Sequence, residues 1–191
     1  MKKHHSKLIV AIRIFLGLIF LGVGMSKLYF EHKFPGIIGP VWLEDELSPY
    51  GLGLYARFIA ASQVLVGLLL LTQRFATLGA ILLFPLLLNI FMVTVSLEWR
   101  GTPYVNFFLL LLNVWLLAFD YHKLKFILFE QTAPLKQLPL KRKSIKADAI
   151  WALALVGIGA SVPLSYWHLE AAWVLCALMM VIIIWNQLRK K

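Results

Sequence analysis

Six stretches of this chain, residues 8–30, 52–72, 75–97, 104–121, 148–166 and 171–188, stay apolar for about the distance a helix needs to cross a bilayer. A hydrocarbon core about 30 Å thick requires roughly 20 apolar residues in helical form, because lipid offers no partner to an unsatisfied backbone N–H or C=O. The runs are continuous and do not alternate, which excludes a transmembrane barrel. With 61% of its 191 residues hydrophobic and 15% charged, the chain lies outside the composition of a soluble domain. The expected fold is an all-α integral membrane protein. Residues 1–128 are expected to form an antiparallel four-helix transmembrane bundle, 129–147 a basic cytoplasmic linker and 148–191 a C-terminal two-helix hairpin. Connections as short as Gln73-Arg74 and Glu98 to Pro103 force consecutive helices to run antiparallel.

Charge sets the orientation. If the N-terminus is cytoplasmic, 15 of the 19 basic residues fall on the cytoplasmic side and only Lys27, Lys33, Arg57 and Arg100 fall outside. That bias predicts a multi-pass membrane protein with both termini in the cytoplasm. It also accounts for the net charge of +10 without nucleic acid as a partner. The first run is longer than a signal peptide's apolar core and has no small-x-small cleavage site after it, so it reads as a retained helix. The basic linker, with Lys136, Lys141, Arg142, Lys143 and Lys146, reads as a solvated topology signal that can also meet anionic lipid. Asp148 precedes the hairpin's first span and favours its N-terminus.

A charge at the centre of a spanning helix costs about 2.5–3.5 kcal/mol on insertion scales, so the polar residues within the runs need partners. Arg13 and Lys27 lie fourteen residues apart on the first run, about 21 Å along a helix, on nearly one face with Gly17, Phe20 and Gly24 between them. Asn106, Asn113 and Asp120 recur every seven residues and share a face of the fourth run. On the third run Asn89 and Ser96 share a face, and Pro85 is expected to kink the helix. Matching depths brings Arg13 to the level of Asp120, which suggests a structural ion pair at the inner end. At the outer end lie Lys27, Arg57, Gln63, Asn89, Glu98, Arg100 and Asn106, a candidate site for a small anionic or carbonyl-bearing ligand. Taken singly, each amide among them also fits an interhelical hydrogen bond. Gly17 and Gly24 read as positions of close helix packing.

Other chemistry finds little support. Cys176 is the single cysteine, which disfavours a disulfide or a Cys-x-x-Cys redox pair. His4, His5, His32, His122 and His168 fall at termini, loops or span ends, where none is placed to ligate haem. Phosphate-binding loops, nucleophile elbows and zinc spacings do not occur. Glu44-Asp45-Glu46 reads as a solvated acidic face rather than a cation site, and no metal is expected. Ile37, Ile38, Val41 and Trp42 are candidates for an interfacial re-entrant turn, and Trp99, Tyr104, Trp167 and Trp173 for an aromatic belt.

The segment from Arg13 to Leu28, RIFLGLIFLGVGMSKL, resembles the first-helix pattern of the DoxX family of small bacterial membrane proteins. Residues Gln63 to Phe75 look like that family's second-helix motif, and Phe84 to Phe91 resemble the third helix of its close relatives. The likeness covers about residues 8–128, with the terminal hairpin as an addition. It implies an association with quinone-linked sulfur oxidation, or with membrane oxidoreductase complexes that resist oxidative stress. Where the family commonly has a glutamate in the second helix this chain has Gln63, which can hydrogen-bond a quinone carbonyl but cannot relay a proton as a carboxylate does.

The expected role is therefore an accessory or partner subunit of a membrane redox system. Its partners would be the lipid bilayer and a membrane or periplasmic oxidoreductase, and a quinone or similar lipid-soluble molecule is the candidate ligand. The chain shows no flavin or metal machinery of its own, so catalysis would be borrowed from that partner. A small-molecule transporter, for which matched broken helices are not evident, and a structural or assembly protein without a ligand are the alternatives.

Overall fold

The structure, a computed structural model, describes residues 2–35, 40–128 and 145–188. Ile37 and Ile38 of the proposed re-entrant turn, residues 129–144 of the linker, and Arg189 to Lys191 lie outside the described residues. Among those described there are eight α-helices and no strand. Two compact units are present, residues 1–120 and 121–191.

The first unit opens with α1 (Lys2–Leu28). Its end is marked by the left-handed backbone of Glu31 (φ 48°) and His32 (φ 58°). The His32 ring donates from Nδ1 to the Ser26 carbonyl at 3.0 Å, satisfying one of the acceptors that a helix end leaves open. A five-residue helix, α2 (Leu43–Leu47), carries Glu44, Asp45 and Glu46 in its first turn, where the helix dipole favours anions. Then follow α3 (Gly53–Leu71), α4 (Ala76–Ser96) and α5 (Thr102–Phe119).

The turn from α3 to α4 is tightened by Thr72, whose Oγ1 accepts from the N–H groups of Arg74 (3.1 Å) and Phe75 (2.8 Å). Between α4 and α5 the chain reverses through Glu98 (φ 52°) and Gly101 (φ 91°), and Pro103 occupies the first turn of α5, where its missing N–H costs nothing. The helical assignment of α4 continues through Pro85.

In this unit α1 packs most extensively on α3; α3 lies on α4, α4 on α5, and α5 returns to α1. Leu16 of α1, Ile59, Val66 and Leu70 of α3, Leu83 and Leu87 of α4 and Leu116 of α5 fill the centre. The α1–α3 approach depends on small residues. A Cβ on Gly67 would stand 2.5 Å from the Leu21 nitrogen, and one on Gly24 would stand 2.7 Å from the Ala60 carbonyl oxygen.

The second unit contains α6 (Tyr121–Leu128), α7 (Ile145–Ser165) and α8 (Leu169–Leu188), with α7 packed on α8. The helix begins at Ile145, so residues 145–147 belong to its first turn rather than to the linker, and Asp148 lies inside the helix rather than before it. Ile145, Lys146 and Ala147 carry no Gly or Pro to stop it. Trp151, Ala154, Ile158, Ser161 and Ser165 are buried at alternating intervals of three and four, one continuous seam. Along that seam a Cβ on Gly157 would come within 2.7 Å of the Met179 side chain.

Among the described residues, five helices are long and apolar enough to cross a membrane, at Lys7–Leu28, Gly53–Leu71, Ala76–Ser96, Thr102–Phe119 and Leu169–Asn186. The sixth expected span is present as a shorter apolar helix, Ala149–Ser165. The whole of α7, 21 residues from Ile145 to Ser165, extends about 31 Å.

Candidate functional site

At the Arg13 end of the first unit, three helices contribute to one buried polar cluster. Asp120 follows the last residue of α5, where a carboxylate is unfavourable because the helix carbonyls already concentrate negative charge. Arg13 Nη2 of α1 and Thr77 Oγ1 of α4 both donate to Asp120 Oδ2, at 2.6 and 2.8 Å. The Arg13 and Asp120 side chains are 11% and 1% exposed. Arg13 Nε, also buried, has no hydrogen-bond partner. One helix turn or more toward the opposite end, Asn113 is fully buried; its Nδ2 donates to the Ala80 carbonyl at 3.2 Å and its Oδ1 is left without a partner.

The residues grouped at the Lys27 end are distributed over three helix interfaces. Between α1 and α3, Lys27 Nζ donates to Gln63 Oε1 at 3.2 Å. Lys27 sits in the last turn of α1, so its cation also meets the negative end of the helix dipole. A narrow cavity beside it is lined by Glu44, Ala56, Arg57 and Ala60. Arg57 Nε donates to Glu44 Oε1 at 2.7 Å across the mouth, which fastens α2 over that end of α3.

Between α3 and α4, Tyr55 donates its hydroxyl hydrogen to Asn89 Oδ1 at 2.5 Å. These two residues close one end of a cleft of about 320 Å³ whose other walls include Phe58, Ile59, Leu65, Val66, Leu82 and Leu86. Ser62 and Pro85 also line it. Phe58, at 65% exposed, and the exposed Leu65 and Leu82 leave the cleft open to the side of the unit, where acyl chains lie.

Between α4 and α5, Asn106 Nδ2 donates to Thr94 Oγ1 at 3.4 Å, and that hydroxyl donates in turn to the Phe91 carbonyl at 2.9 Å. Glu98 and Arg100 are exposed on the α4–α5 turn, and neither forms an ion pair among the described residues. Gln63, Asn89 and Asn106 therefore do not converge, because each belongs to a different pair of helices.

A family model described as DoxX matches residues 8–96. Over those residues the chain is similar to the DoxX family. No curated protein and no solved structure matches it. The DoxX match runs from α1 to the end of α4, shorter than the 8–128 suggested by the sequence motifs. Arg13, Lys27, Arg57, Gln63 and Asn89 lie inside the DoxX segment. Asn106, Asn113 and Asp120 lie on α5, beyond it.

Several partners escaped sequence reasoning. Tyr55, Thr77 and Thr94 are not singled out by the sequence, and Glu44 reads there only as part of a solvated acidic face. A detectable signal existed only for Glu44, a carboxylate thirteen residues before Arg57 across a Pro/Gly-containing connection.

Proposed function

We propose that this DoxX-like protein accepts a lipid-soluble, carbonyl-bearing molecule of the quinone class in the α3–α4 cleft and serves as an accessory subunit of a membrane redox system. The observation that carries the reading is the cleft itself, about 320 Å³ and apolar along most of its length, with the Tyr55–Asn89 pair at one end. Ligand pockets are commonly of this size, mostly apolar with a few polar groups that set orientation. Asn89 accepts the Tyr55 hydrogen on Oδ1, which leaves its Nδ2 hydrogens for a ligand carbonyl, and Ser62 offers a second donor. An isoprenoid-like tail would lie against Phe58, Leu65 and Leu82 and leave through the open side. The orientation proposed with this role has the Arg13 end facing the cytoplasm, as the distribution of basic residues favours. In this reading Gln63 holds Lys27, and Asn89 takes the carbonyl-binding role that the sequence suggested for Gln63.

The test is quantitative extraction of quinone from the purified full chain, compared with Asn89→Leu and Tyr55→Phe variants. The expected result is quinone in near-stoichiometric yield from the wild type and a severalfold loss in Asn89→Leu, with the variant still monodisperse. Quinone at no more than its proportion in co-purified bulk lipid would end the proposal. A purely structural role is the second reading, favoured by the closure of Lys27 on Gln63 and of Arg13 on Asp120. It would be supported by wild-type levels of every associated membrane protein in the Asn89→Leu strain.

A further inference from the structure

The groove between α4 and α5 differs in chemistry from the α3–α4 cleft. Its volume is about 560 Å³, and Phe91, Trp99, Tyr104 and Phe107 supply its aromatic rings while Glu98 supplies its single charged lining group. Two of the rings, Phe91 and Phe107, lie 6.3 Å apart at 44°. Trp99 is braced from behind by Trp42, with ring centroids 5.9 Å apart. Aromatic faces carry partial negative charge, so rings gathered beside a carboxylate attract a cation, above all an organic ammonium. No lysine or arginine lines the groove.

Arg100 follows Glu98 by two residues and is likewise exposed, yet the two do not pair with each other. The backbone keeps them on one short reversal. Glu98 N–H donates to the Val95 carbonyl at 3.0 Å and Trp99 N–H to the Thr94 carbonyl at 3.1 Å, with Glu98 in the left-handed region. Adjacent, unpaired charges of opposite sign at the end of two apolar helices complement a zwitterion. The guanidinium suits a phosphate, and the carboxylate with its aromatic neighbours suits an ammonium. Phe91, Val95 and Phe107 line the groove on the apolar helices themselves, where acyl chains would run.

We propose that this groove is a head-group site for a zwitterionic, amine-bearing phospholipid. The ammonium would lie between Glu98 and the rings of Trp99 and Tyr104, and the phosphate toward Arg100. A phospholipid whose head group is only anionic would set its charge against Glu98 and gain nothing from the rings.

The experiment reconstitutes the full chain in nanodiscs made of equal parts phosphatidylethanolamine and phosphatidylglycerol, then counts retained lipids by native mass spectrometry as the disc is stripped. The wild type should retain phosphatidylethanolamine over phosphatidylglycerol by about ten-fold, the scale of a cation–π contact combined with a charged hydrogen bond. Glu98→Gln should abolish that preference, and Trp99→Leu should reduce it. Arg100→Gln should lower retention of both lipids. Equal retention of the two lipids by the wild type, or an unchanged preference in both Glu98→Gln and Trp99→Leu, overturns the proposal. Choline alone serves as a further probe in detergent. If it binds in a Glu98-dependent manner while no lipid preference exists, the groove serves a soluble cation and the lipid assignment is wrong.

Discussion

Arg13 and Asp120 are 107 positions apart in sequence and 2.6 Å apart in space, and both are nearly excluded from solvent. Removing one member of a buried pair strands the other charge, at a typical cost of about 3–5 kcal/mol. We therefore expect Arg13→Ala and Asp120→Ala each to lower the unfolding free energy by roughly that amount, measured by steric trapping or denaturant titration in micelles. The double exchange Arg13→Asp with Asp120→Arg should recover part of the loss; no recovery would mean that the two residues act separately. Thr77 donates to the same buried carboxylate oxygen, so Thr77→Val should cost about 1.5–3 kcal/mol, less than removal of Arg13. Comparing the depths of polar residues along helical runs suffices to bring Arg13 and Asp120 to one level. Thr77 is invisible to that comparison because a threonine within an apolar run usually bonds its own helix, as Thr94 does to the Phe91 carbonyl.

Among the elements, the α1–α3 contact is the one most dependent on the absence of side chains. At Gly67 an added methyl would meet backbone atoms of Leu21 at 2.5 and 2.9 Å, and at Gly24 it would meet the backbone of Ala60 and Val64. Backbone cannot yield as a flexible side chain can. Gly67→Ala is thus expected to destabilise by about 1–3 kcal/mol through forced separation of the helices. Gly159→Ala makes the matching control, since nothing lies within 4 Å of that position, and it should leave the melting temperature of the purified protein unchanged or slightly raised. Equal effects at the two sites would show that helix propensity, and not the close approach, governs the response. Gly17 and Gly24 can be recognised from sequence as small residues on the face of α1 that also carries Arg13 and Lys27. Their counterpart Gly67 cannot, because locating it requires the rotation of α3 about its own axis.

For the whole molecule, the division into residues 1–120 and 121–191 and the bias of basic residues bear on how the chain enters a membrane. The proposed orientation predicts that Tyr50→Cys is labelled by a membrane-impermeant maleimide in intact cells, and that Tyr121→Cys is labelled only after permeabilisation. Both tyrosines are well exposed, at 72% and 51%, so accessibility to solvent would reflect the side of the membrane. The buried Cys176 should contribute little background. The reverse labelling pattern would invert the orientation.

Helical class, the approximate bounds of the long apolar helices and the tight turns between them follow from the sequence, because run length and short connections are local properties that lipid converts directly into structure. Even so, α1 stops at Leu28 and not at residue 30, and α7 starts at Ile145, since helix ends depend on capping contacts as well as on hydropathy. The sequence also marks Lys27, Arg57, Gln63, Asn89 and Asn106 as polar residues toward one end. Only the tertiary structure decides that Gln63 turns to Lys27, Asn89 to Tyr55, Arg57 to Glu44 and Asn106 to Thr94. Depth along a helix is encoded by residue number; which neighbour a side chain meets depends on the rotation of each helix, and that is fixed by packing among helices distant in sequence.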